Sequence, residues 1–400
     1  MTLALIVKRS LRQHALSTTI TALSIALAGG LLMSVWVVKD QSLRTFTQVN
    51  TGFDAVLGAR GSKLQLVLNA IFHLEASPGN VAAADYQWIK HHPAVRLAIP
   101  IAVGDNLRGY RIVGTIPELF TDVEYAPGRH FKLAAGKLFD PDAREAVVGS
   151  FAAQRLRLSV GDTFHPFHGL VYDAANQHPE TYHVVGVLAP SNTPADKVVW
   201  IPIHGLQTMT GHDPRAATDV SAVLIQLKSP SAGLMLDIMY NRQGNRLTFA
   251  YPIGAVIAEL FQKIGWFDKV LALVAYLVAL VSAAGVLVAI YNSMASRRRD
   301  IAILRALGAG RLFIFSAIVL EAAVIGLIGM ALAFAAYAAI VSAVAVVIRA
   351  QTGVLLETFV FDPVMVWAPL GMVALCALSG LLPAWKAYRT DVAENLAPIS

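Results

Sequence analysis

The residues of this sequence whose type and spacing are best suited to binding a metal ion are histidines. Four of its 11 histidines fall in the segment FHPFHGLVYDAANQHPETYH, at His165, His168, His178 and His183. Imidazole nitrogens bind zinc, and the neighbouring Asp173 and Glu180 would add oxygen ligands. The spacing matches no compact metal motif, and Pro and Gly in the segment are typical of a loop. The pattern therefore favours a polar surface loop or a partner contact, and the four histidines stay candidate metal ligands.

Other chemical motifs are missing from the sequence. It has no GxSxG, no HExxH and no paired-carboxylate motif. It also has no GxxxxGK[ST] phosphate loop, because GARGSK at residues 58–63 has the wrong spacing and predicts a turn. We expect no enzyme activity and no ATPase activity in this chain.

The composition indicates a chain that is part membrane protein and part water-soluble domain. It is 56% hydrophobic and 14% charged, with a mean hydropathy of +0.57. A helix needs about 20 apolar residues to cross a bilayer, and four such runs occur. The predicted fold is an α-helical membrane protein with four transmembrane helices and a mixed α+β extracytoplasmic domain between helices 1 and 2.

The predicted segments follow one another along the whole chain. They are a cytoplasmic amphipathic segment (1–15), the first transmembrane helix (16–38), the extracytoplasmic domain (39–252), a stalk helix with the second transmembrane helix (253–294), a cytoplasmic loop (295–311), the third transmembrane helix with a stalk extension (312–348), a short external loop (349–362), the fourth transmembrane helix (363–382) and a cytoplasmic tail (383–400).

Basic residues near the four runs predict the orientation of the chain. They lie before the first run, between the second and third, and after the fourth, at Lys8, Arg9, Arg12, Arg297, Arg298, Arg299, Arg305, Arg311, Lys386 and Arg389. Four crossings place all of them on one side, which predicts that both termini are cytoplasmic. These residues also explain the net charge of +6, so we expect no nucleic acid partner. The apolar run to Val38 is longer than a cleaved signal peptide needs, which favours an uncleaved helix.

The region between the first two runs has the pattern of a mixed α and β domain. Alternating or β-rich stretches predict strands at residues 96–103, 110–116, 144–150, 182–188, 198–203 and 221–227. Helical spacing occurs at residues 82–93 and 149–158.

Two membrane helices are expected to project beyond the bilayer as a stalk. Apolar residues from Ile253 to Ile264 form a one-faced helical pattern that runs into the second span. From Leu312 to Ile348 the chain is uncharged except for Glu321, and a helix of that length measures about 55 Å, more than a bilayer core of about 30 Å. A tilt or a break near Ala338 is the alternative.

A short helix is predicted in the basic loop between the second and third spans. Asp300 is placed as its N-cap and Gly308 as its C-terminal stop. Ile301, Leu304 and Leu307 share one face, whereas Arg305 points elsewhere. So short a helix is marginal alone. Its apolar face either docks into a cavity of another protein or rests on the membrane interface and neighbouring spans.

Glu321 lies about 14 Å along the third span, where an ionised carboxylate is costly. A hinge or a proton-linked element is one interpretation. A structural hydrogen bond between helices is favoured, because Gly326 and Gly329 also suit close helix packing.

The segment SRRRDIAILRALGAGRLFIFSAIVLEAAVIGLIG closely resembles the signature of MacB/FtsX-type permeases, the type VII ABC family that includes lipoprotein-release permeases. The basic loop, the IAILRALGA segment and Glu321 occur in the family's order. REAVVGSFAAQRLRLSVGDTF and YHVVGVLAPSN resemble its periplasmic core domain, and LLPAWKAYRTDVAENL resembles its C-terminal tail.

The resemblance implies an inner-membrane permease subunit of an ABC exporter. It implies a dimer, either with itself or with a second permease, whose coupling residues Asp300, Ile301, Leu304, Arg305, Leu307 and Gly308 meet a separate ABC ATPase. ATP and magnesium belong to that ATPase, and this chain needs no cofactor. ATP hydrolysis would move the periplasmic domain by mechanotransmission, for export or for release of an envelope substrate. Membrane lipid and a periplasmic adaptor are the other expected partners.

Two alternatives to an exporter stay open. One is an FtsX-like membrane regulator that relays the state of the ATPase to an external cell-envelope enzyme. The other is a metal-handling membrane protein that uses the histidine segment.

Overall fold

The computed structural model describes residues 3–48, 52–214, 217–296, 298–306, 308–354 and 360–389; within these ranges it does not describe the side chains of residues 45–48, 268, 293–296 and 298–301. The chain forms two compact units. The helical unit comprises Met1–Gln41, Ile264–Ala345 and Glu357–Ser400, and the α/β unit comprises Ser42–Lys263 and Val346–Leu356.

The α-helices range from single turns to unbroken helices of more than 40 residues. They are α1 (Leu3–Gln13), α2 (Ala15–Gln48), α3 (Lys63–Ala70), α4 (Ala83–Lys90), α5 (Glu118–Thr121), α6 (Ser150–Leu156), α7 (Ile203–Gln207), α8 (Pro230–Ile238), α9 (Ile253–Ser296), α10 (Arg298–Ala306), α11 (Arg311–Thr352), α12 (Val364–Ser379) and α13 (Leu381–Arg389). Short 3₁₀ turns span Ala174–Asn176 and Pro194–Lys197, and a π-helical turn spans Met239–Gln243.

The strands all belong to the α/β unit. They are β1 (Ala55–Ala59), β2 (Val95–Leu107), β3 (Tyr110–Thr115), β4 (Glu124–Ala126), β5 (Arg129–His130), β6 (Leu133–Gly136), β7 (Glu145–Val148), β8 (Thr163–Phe164), β9 (Phe167–His168), β10 (Tyr182–Leu188), β11 (Val199–Pro202), β12 (Ala222–Leu227) and β13 (Leu247–Ala250). Each of the six strands expected from β-rich patterns is present. The helices expected at residues 82–93 and 149–158 are α4 and α6.

Eleven of these strands form one mixed sheet. Its order is β13-β1-β12-β2-β3-β11-β7-β10-β6, with β8 paired to β10 and β9 paired to β2. The long strand β2 connects the two parts of the sheet. Its first half pairs with β12 on one side, and its second half pairs with β3 on the other. The register of β2 against β3 shifts between Val103 and Asp105, and such a bulge bends a strand and re-aims its side chains.

Four helices within the described ranges are long and apolar enough to cross a membrane, which confirms the predicted number of spans. They cover Ala15–Arg44, Ile253–Asn292, Arg311–Thr352 and Val364–Arg389. Helix α11 continues through Ala338, so the alternative of a break there is wrong. The sequence around Ala338 consists of alanine, β-branched and aromatic residues, and it contains no Gly or Pro that would interrupt a helix.

The ends of two long helices are part of the α/β unit. Ile253, Val256 and Ile257, at the start of α9, are buried in its main hydrophobic core. Near the end of α11, the guanidinium of Arg349 lies 5.2 Å from the centre of the Phe151 ring, and the ammonium of Lys197 donates a hydrogen bond to the carbonyl oxygen of Gln351. The start of the predicted stalk helix at Ile253 is therefore packed within the α/β unit, and so is the end of α11, which continues past residue 348 into the predicted external loop.

Small residues allow close packing in the helical unit. A Cβ atom added to Gly329 would lie 2.6 Å from the Cβ of Ile25, and one added to Gly326 would lie 3.0 Å from the Cβ of Cys376. The hydroxyl of Ser282 donates to the carbonyl oxygen of Ser24 at 3.2 Å. Contacts of this kind replace the hydrophobic effect as the force that holds helices together in lipid.

Candidate functional site

Helix α10 lies in the chain between the two long helices α9 and α11. It begins at Arg298, so the prediction that Asp300 is its N-cap is wrong, and Asp300 lies inside the first turn. Arginine has a high helix propensity, which lets the helix extend through Arg298 and Arg299. The side chains of Asp300 and Ile301 lie outside the described residues.

The C-terminal end of α10 has the hydrogen bonds of a Schellman motif. Gly308 has a φ of +98°, and its N–H donates to the carbonyl oxygen of Arg305 at 3.0 Å. The N–H of Ala309 donates to the carbonyl oxygen of Leu304, also at 3.0 Å. Glycine adopts this left-handed conformation without steric cost, so the prediction that Gly308 ends the helix is confirmed.

The described side chains of α10 differ in exposure. Ala302 is buried, whereas Leu304 and Arg305 are half-buried and Ile303 is 42% exposed. Leu307 lies outside the described residues, so Leu304 is the only member of the predicted apolar face whose side chain can be followed. The exposed apolar Ile303 was not expected from the sequence, because it lies outside the i, i+3, i+6 pattern.

Helix α13 contacts the residues that flank the α10 segment. The ammonium of Lys386 donates to the hydroxyl of Tyr291 in α9 and lies 4.5 Å from the centre of that ring. The guanidinium of Arg311, at the start of α11, lies 5.8 Å from the centre of the Tyr388 ring. These cation–π contacts tie the ends of α9, α11 and α13 together.

Glu321 of α11 accepts a hydrogen bond from the hydroxyl of Ser10 in α1, and both residues are buried. A hydrogen bond between helices was the favoured interpretation of this carboxyl group. Its partner lies in the amphipathic α1, which the sequence did not indicate.

A second set of polar side chains forms the histidine–aspartate cluster, which consists of Asp105, His168, His178 and His212. One ligand atom from each residue lies within 4.8 Å of all the others. Oδ1 of Asp105 is 3.3 Å from Nδ1 of His168, 3.3 Å from Nε2 of His178 and 3.2 Å from Nε2 of His212. The three imidazole rings have centres 5.2 to 5.5 Å apart and are steeply inclined to one another. They surround one carboxylate oxygen.

Four separate segments supply the cluster. Asp105 lies in β2 next to its bulge, and His168 is its partner in the antiparallel strand β9. His178 follows the 3₁₀ turn at Ala174–Asn176, and His212 follows α7. The side-chain amide of Asn106 donates to the carbonyl oxygens of Phe167, Gly169 and Val171, which holds the loop after His168 against β2.

A backbone group fixes the orientation of one of these rings, because Nδ1 of His178 donates to the carbonyl oxygen of Thr210 at 2.8 Å. The backbone N–H and hydroxyl of Thr210 in turn donate to Glu180 at 2.9 and 2.6 Å. The hydrogen bond to Asp105 raises the pKa of His212 above its usual value, although burial opposes this shift. Among the described residues, no group donates a hydrogen bond to the buried Oδ2 of Asp105.

The comparison with known families covers both units. Residues 18–233 match the family model of the MacB-like periplasmic core domain, which is more than half of the chain, and residues 272–392 match the C-terminal model of FtsX-like permeases. The chain belongs to the MacB/FtsX family of ABC transporter permeases. The expected family is thereby confirmed, and with it a multi-pass membrane protein associated with ABC transporters.

The crystal structure of the periplasmic region of MacB from Actinobacillus actinomycetemcomitans is similar over 53% of this chain and 94% of that chain, with 11% sequence identity and a TM-score of 0.34. No curated protein matched the sequence.

In this permease, the four candidate histidines of the sequence separate into two pairs. His168 and His178 belong to the histidine–aspartate cluster. His165 instead hydrogen-bonds the backbone carbonyl of Glu180 at 3.0 Å, and His183 is exposed in β10. Sequence spacing missed Asp105 and His212. The pairing of β2 with β9 brings Asp105 to His168. Residue spacing within one segment cannot predict a pairing between two distant strands.

Proposed function

We propose that this permease is the transmembrane subunit of an ABC exporter, driven by a separate ATPase that binds α10. ATP and magnesium are held by that ATPase, since the chain has no phosphate loop of its own. The observation that carries the proposal is α10 itself, a two-turn helix closed by Gly308 between two helices whose far ends pack in the α/β unit.

The proposed mechanism is mechanotransmission. Helix α10 contacts the ATPase, and closure of two ATPase subunits around ATP moves α10 and the adjoining ends of α9 and α11. Both helices are unbroken over more than 40 residues. A displacement at one end therefore reaches the segments that pack with Phe151 and with the core around Ile257. No solute has to pass between the spans.

The proposal includes an orientation and an assembly. The basic residues around α10, together with Lys386 and Arg389, place this end in the cytoplasm by the positive-inside rule, with the protein in the inner membrane and both termini cytoplasmic. The α/β unit then lies in the periplasm.

The working unit is a dimer, formed with a second copy or with a second permease, and a periplasmic adaptor can join it. The match to a MacB-like periplasmic domain favours export or envelope release over a purely regulatory FtsX-like role.

The test is a charge on the helix that is proposed to dock. Leu304→Asp places a carboxylate on the predicted apolar face of α10. Its matched control is Ala306→Asp, because Ala306 is exposed and lies about 200° around the same helix. Each permease variant is co-expressed with the ATPase encoded beside it and reconstituted in lipid nanodiscs, and the readouts are co-purification and ATPase activity.

We expect Leu304→Asp to lower retention of the ATPase by at least about tenfold, which corresponds to about 1.4 kcal/mol. Ala306→Asp should retain it. Size-exclusion chromatography and thermal unfolding of both variants show whether the permease remains folded. Equal retention by the folded Leu304→Asp variant and the wild type would mean that α10 only rests on the membrane, and the ATPase contact would have to be sought elsewhere.

A further inference from the structure

We propose that the histidine–aspartate cluster is a binding site for one divalent transition metal ion, with zinc as the ion that its chemistry fits best. The ligands are Oδ1 of Asp105, Nδ1 of His168 and Nε2 of His178 and His212. The site lies in the α/β unit and is independent of the proposed ATPase contact, so failure of one proposal leaves the other intact.

The distances from Oδ1 of Asp105 to the three ring nitrogens fit the edges of a tetrahedral site. Zinc binds imidazole nitrogen and carboxylate oxygen at about 2.0–2.1 Å, which separates neighbouring ligand atoms by about 3.3 Å. The three contacts of Asp105 measure 3.2 to 3.3 Å. Charge-assisted hydrogen bonds are shorter, at about 2.7–2.9 Å. The contacts of Asp105 are therefore longer than charge-assisted hydrogen bonds, and since all four ligand atoms lie within 4.8 Å of one another, a small inward movement of the rings would close them around one ion.

Proton positions give a second, independent argument. Because a carbonyl oxygen can only accept, the 2.8 Å contact with Thr210 places a proton on Nδ1 of His178. In the neutral ring, Nε2 then directs a lone pair towards the carboxylate oxygen of Asp105, which is repulsive. A cation bound between the two atoms replaces this repulsion with coordination.

The surroundings of the cluster are those of a prepared metal site. Asp105 is fully buried and His178 is 5% exposed. Metal-binding histidines usually donate their second ring nitrogen to a backbone carbonyl or a carboxylate, which fixes the ring. His178 does this through the carbonyl oxygen of Thr210. His168 is 56% exposed and gives the ion a route from solvent.

The ligand set selects the class of metal. Calcium and magnesium prefer six or more oxygen ligands, and this cluster offers one carboxylate. Three imidazoles and a carboxylate, without sulfur, suit zinc and neighbouring first-row ions such as cobalt. The ion would connect β2, β9, the loop before β10 and the turn after α7, so it should stabilise the α/β unit.

The experiment measures zinc binding by the full-length permease in lipid nanodiscs. The protein is stripped with a chelator and titrated with zinc against a fluorescent zinc indicator, in excess magnesium and calcium. The critical variant is His168→Ala, because the exposed ring of His168 contributes little to packing. Its matched control is His183→Ala, another exposed histidine in a strand of the same unit. His212→Ala is a second ligand variant, and thermal unfolding confirms that each variant is folded.

We expect one zinc ion per wild-type chain. His168→Ala and His212→Ala should each weaken binding by at least about tenfold, and His183→Ala should leave it unchanged. Chelation should lower the unfolding temperature of the wild type, with zinc restoring it, and have little effect on His168→Ala. The proposal is overturned if the wild type takes up no stoichiometric zinc. Equal weakening by His183→Ala and His168→Ala, or displacement of zinc by magnesium or calcium, would also overturn it.

Discussion

The α10 segment and the histidine–aspartate cluster differ in how the chain builds them. The α10 segment is contiguous, since its basic residues, helix, terminating Gly308 and Glu321 all lie between residues 297 and 321. The cluster draws its four side chains from segments between residues 105 and 212, and a bulged strand and loop packing bring them together. Local sequence can therefore reveal the first site, whereas only the fold reveals the second.

The largest expected effect is the loss of stability when a glycine of the α/β unit is replaced at a close contact between distant segments. A Cβ added to Gly149 would lie 2.4 Å from the carbonyl oxygen of Ala195 and 2.5 Å from that of Asp196. Because backbone atoms cannot move aside as a side chain can, Gly149→Ala should cost about 3 kcal/mol or more. Gly265, in α9, has no atom within 4 Å of an added Cβ.

Gly265→Ala is the matched control, and it should be neutral or stabilise the helix by about 0.5–1 kcal/mol. Thermal unfolding and limited proteolysis of the full-length permease in nanodiscs measure both variants. If the two substitutions changed stability equally, contacts between distant segments would not constrain Gly149 more than local helix structure constrains Gly265.

An intermediate effect concerns acid sensitivity, which is expected in the α/β unit. Burial of the His73 ring, together with the positive charges of Arg111 and Lys197, lowers the pKa of His73 to about 3. The unfolded chain binds this proton near the ordinary pKa of 6.5, so the unfolded state holds more protons between these values. Protonation of His73 should therefore cost no stability above about pH 6.5. Below that pH, the free energy of unfolding should fall by up to about 1.4 kcal/mol for each pH unit.

His73→Asn should flatten this dependence, because asparagine does not titrate and tolerates the positive φ of 55° at this position. The measurement is the difference in unfolding temperature between wild type and variant from pH 7 to pH 5. Parallel curves would show that His73 does not report the acid sensitivity of this unit.

The smallest expected effect probes a contact between distant segments inside the helical unit. Ser10→Ala removes the hydrogen bond to Glu321 and should cost about 1 kcal/mol, the usual scale for polar contacts between membrane helices. A double-mutant cycle with Glu321→Ala, which removes the acceptor, isolates the pair. A coupling energy near zero would leave Glu321 available for the alternative role as a hinge or proton-linked element.

Periodicity was sufficient to predict the main elements of both units. The pattern YHVVGVL becomes the strand Tyr182–Leu188 without change of bounds, and four apolar runs become four long helices. Alternation and apolar length are local properties, which is why they can be recognised without the fold. Gly308 was predictable for the same reason, since a C-terminal stop depends on one residue's conformation.

Features that depend on distant segments could not be predicted. The order of the mixed sheet and the bulge beside Asp105 decide that His168 and His178 meet His212, while the nearby His165 and His183 do not. The start of α10 at Arg298 was also missed, because helix propensity outweighed the capping preference of Asp300.

The measurement that tests the central claim most directly is the response of the α/β unit to the nucleotide state of the ATPase. Cys376, the single cysteine, is replaced by alanine, and Leu234→Cys in the exposed face of α8 carries a spin label. Pulsed electron paramagnetic resonance then gives the distance between the two labels of a dimer bound to its ATPase in nanodiscs. We predict that the distance changes between the nucleotide-free and ATP-trapped states, and that Leu304→Asp abolishes the change. An unchanged distance with an ATPase that is bound and active would contradict mechanotransmission through α10.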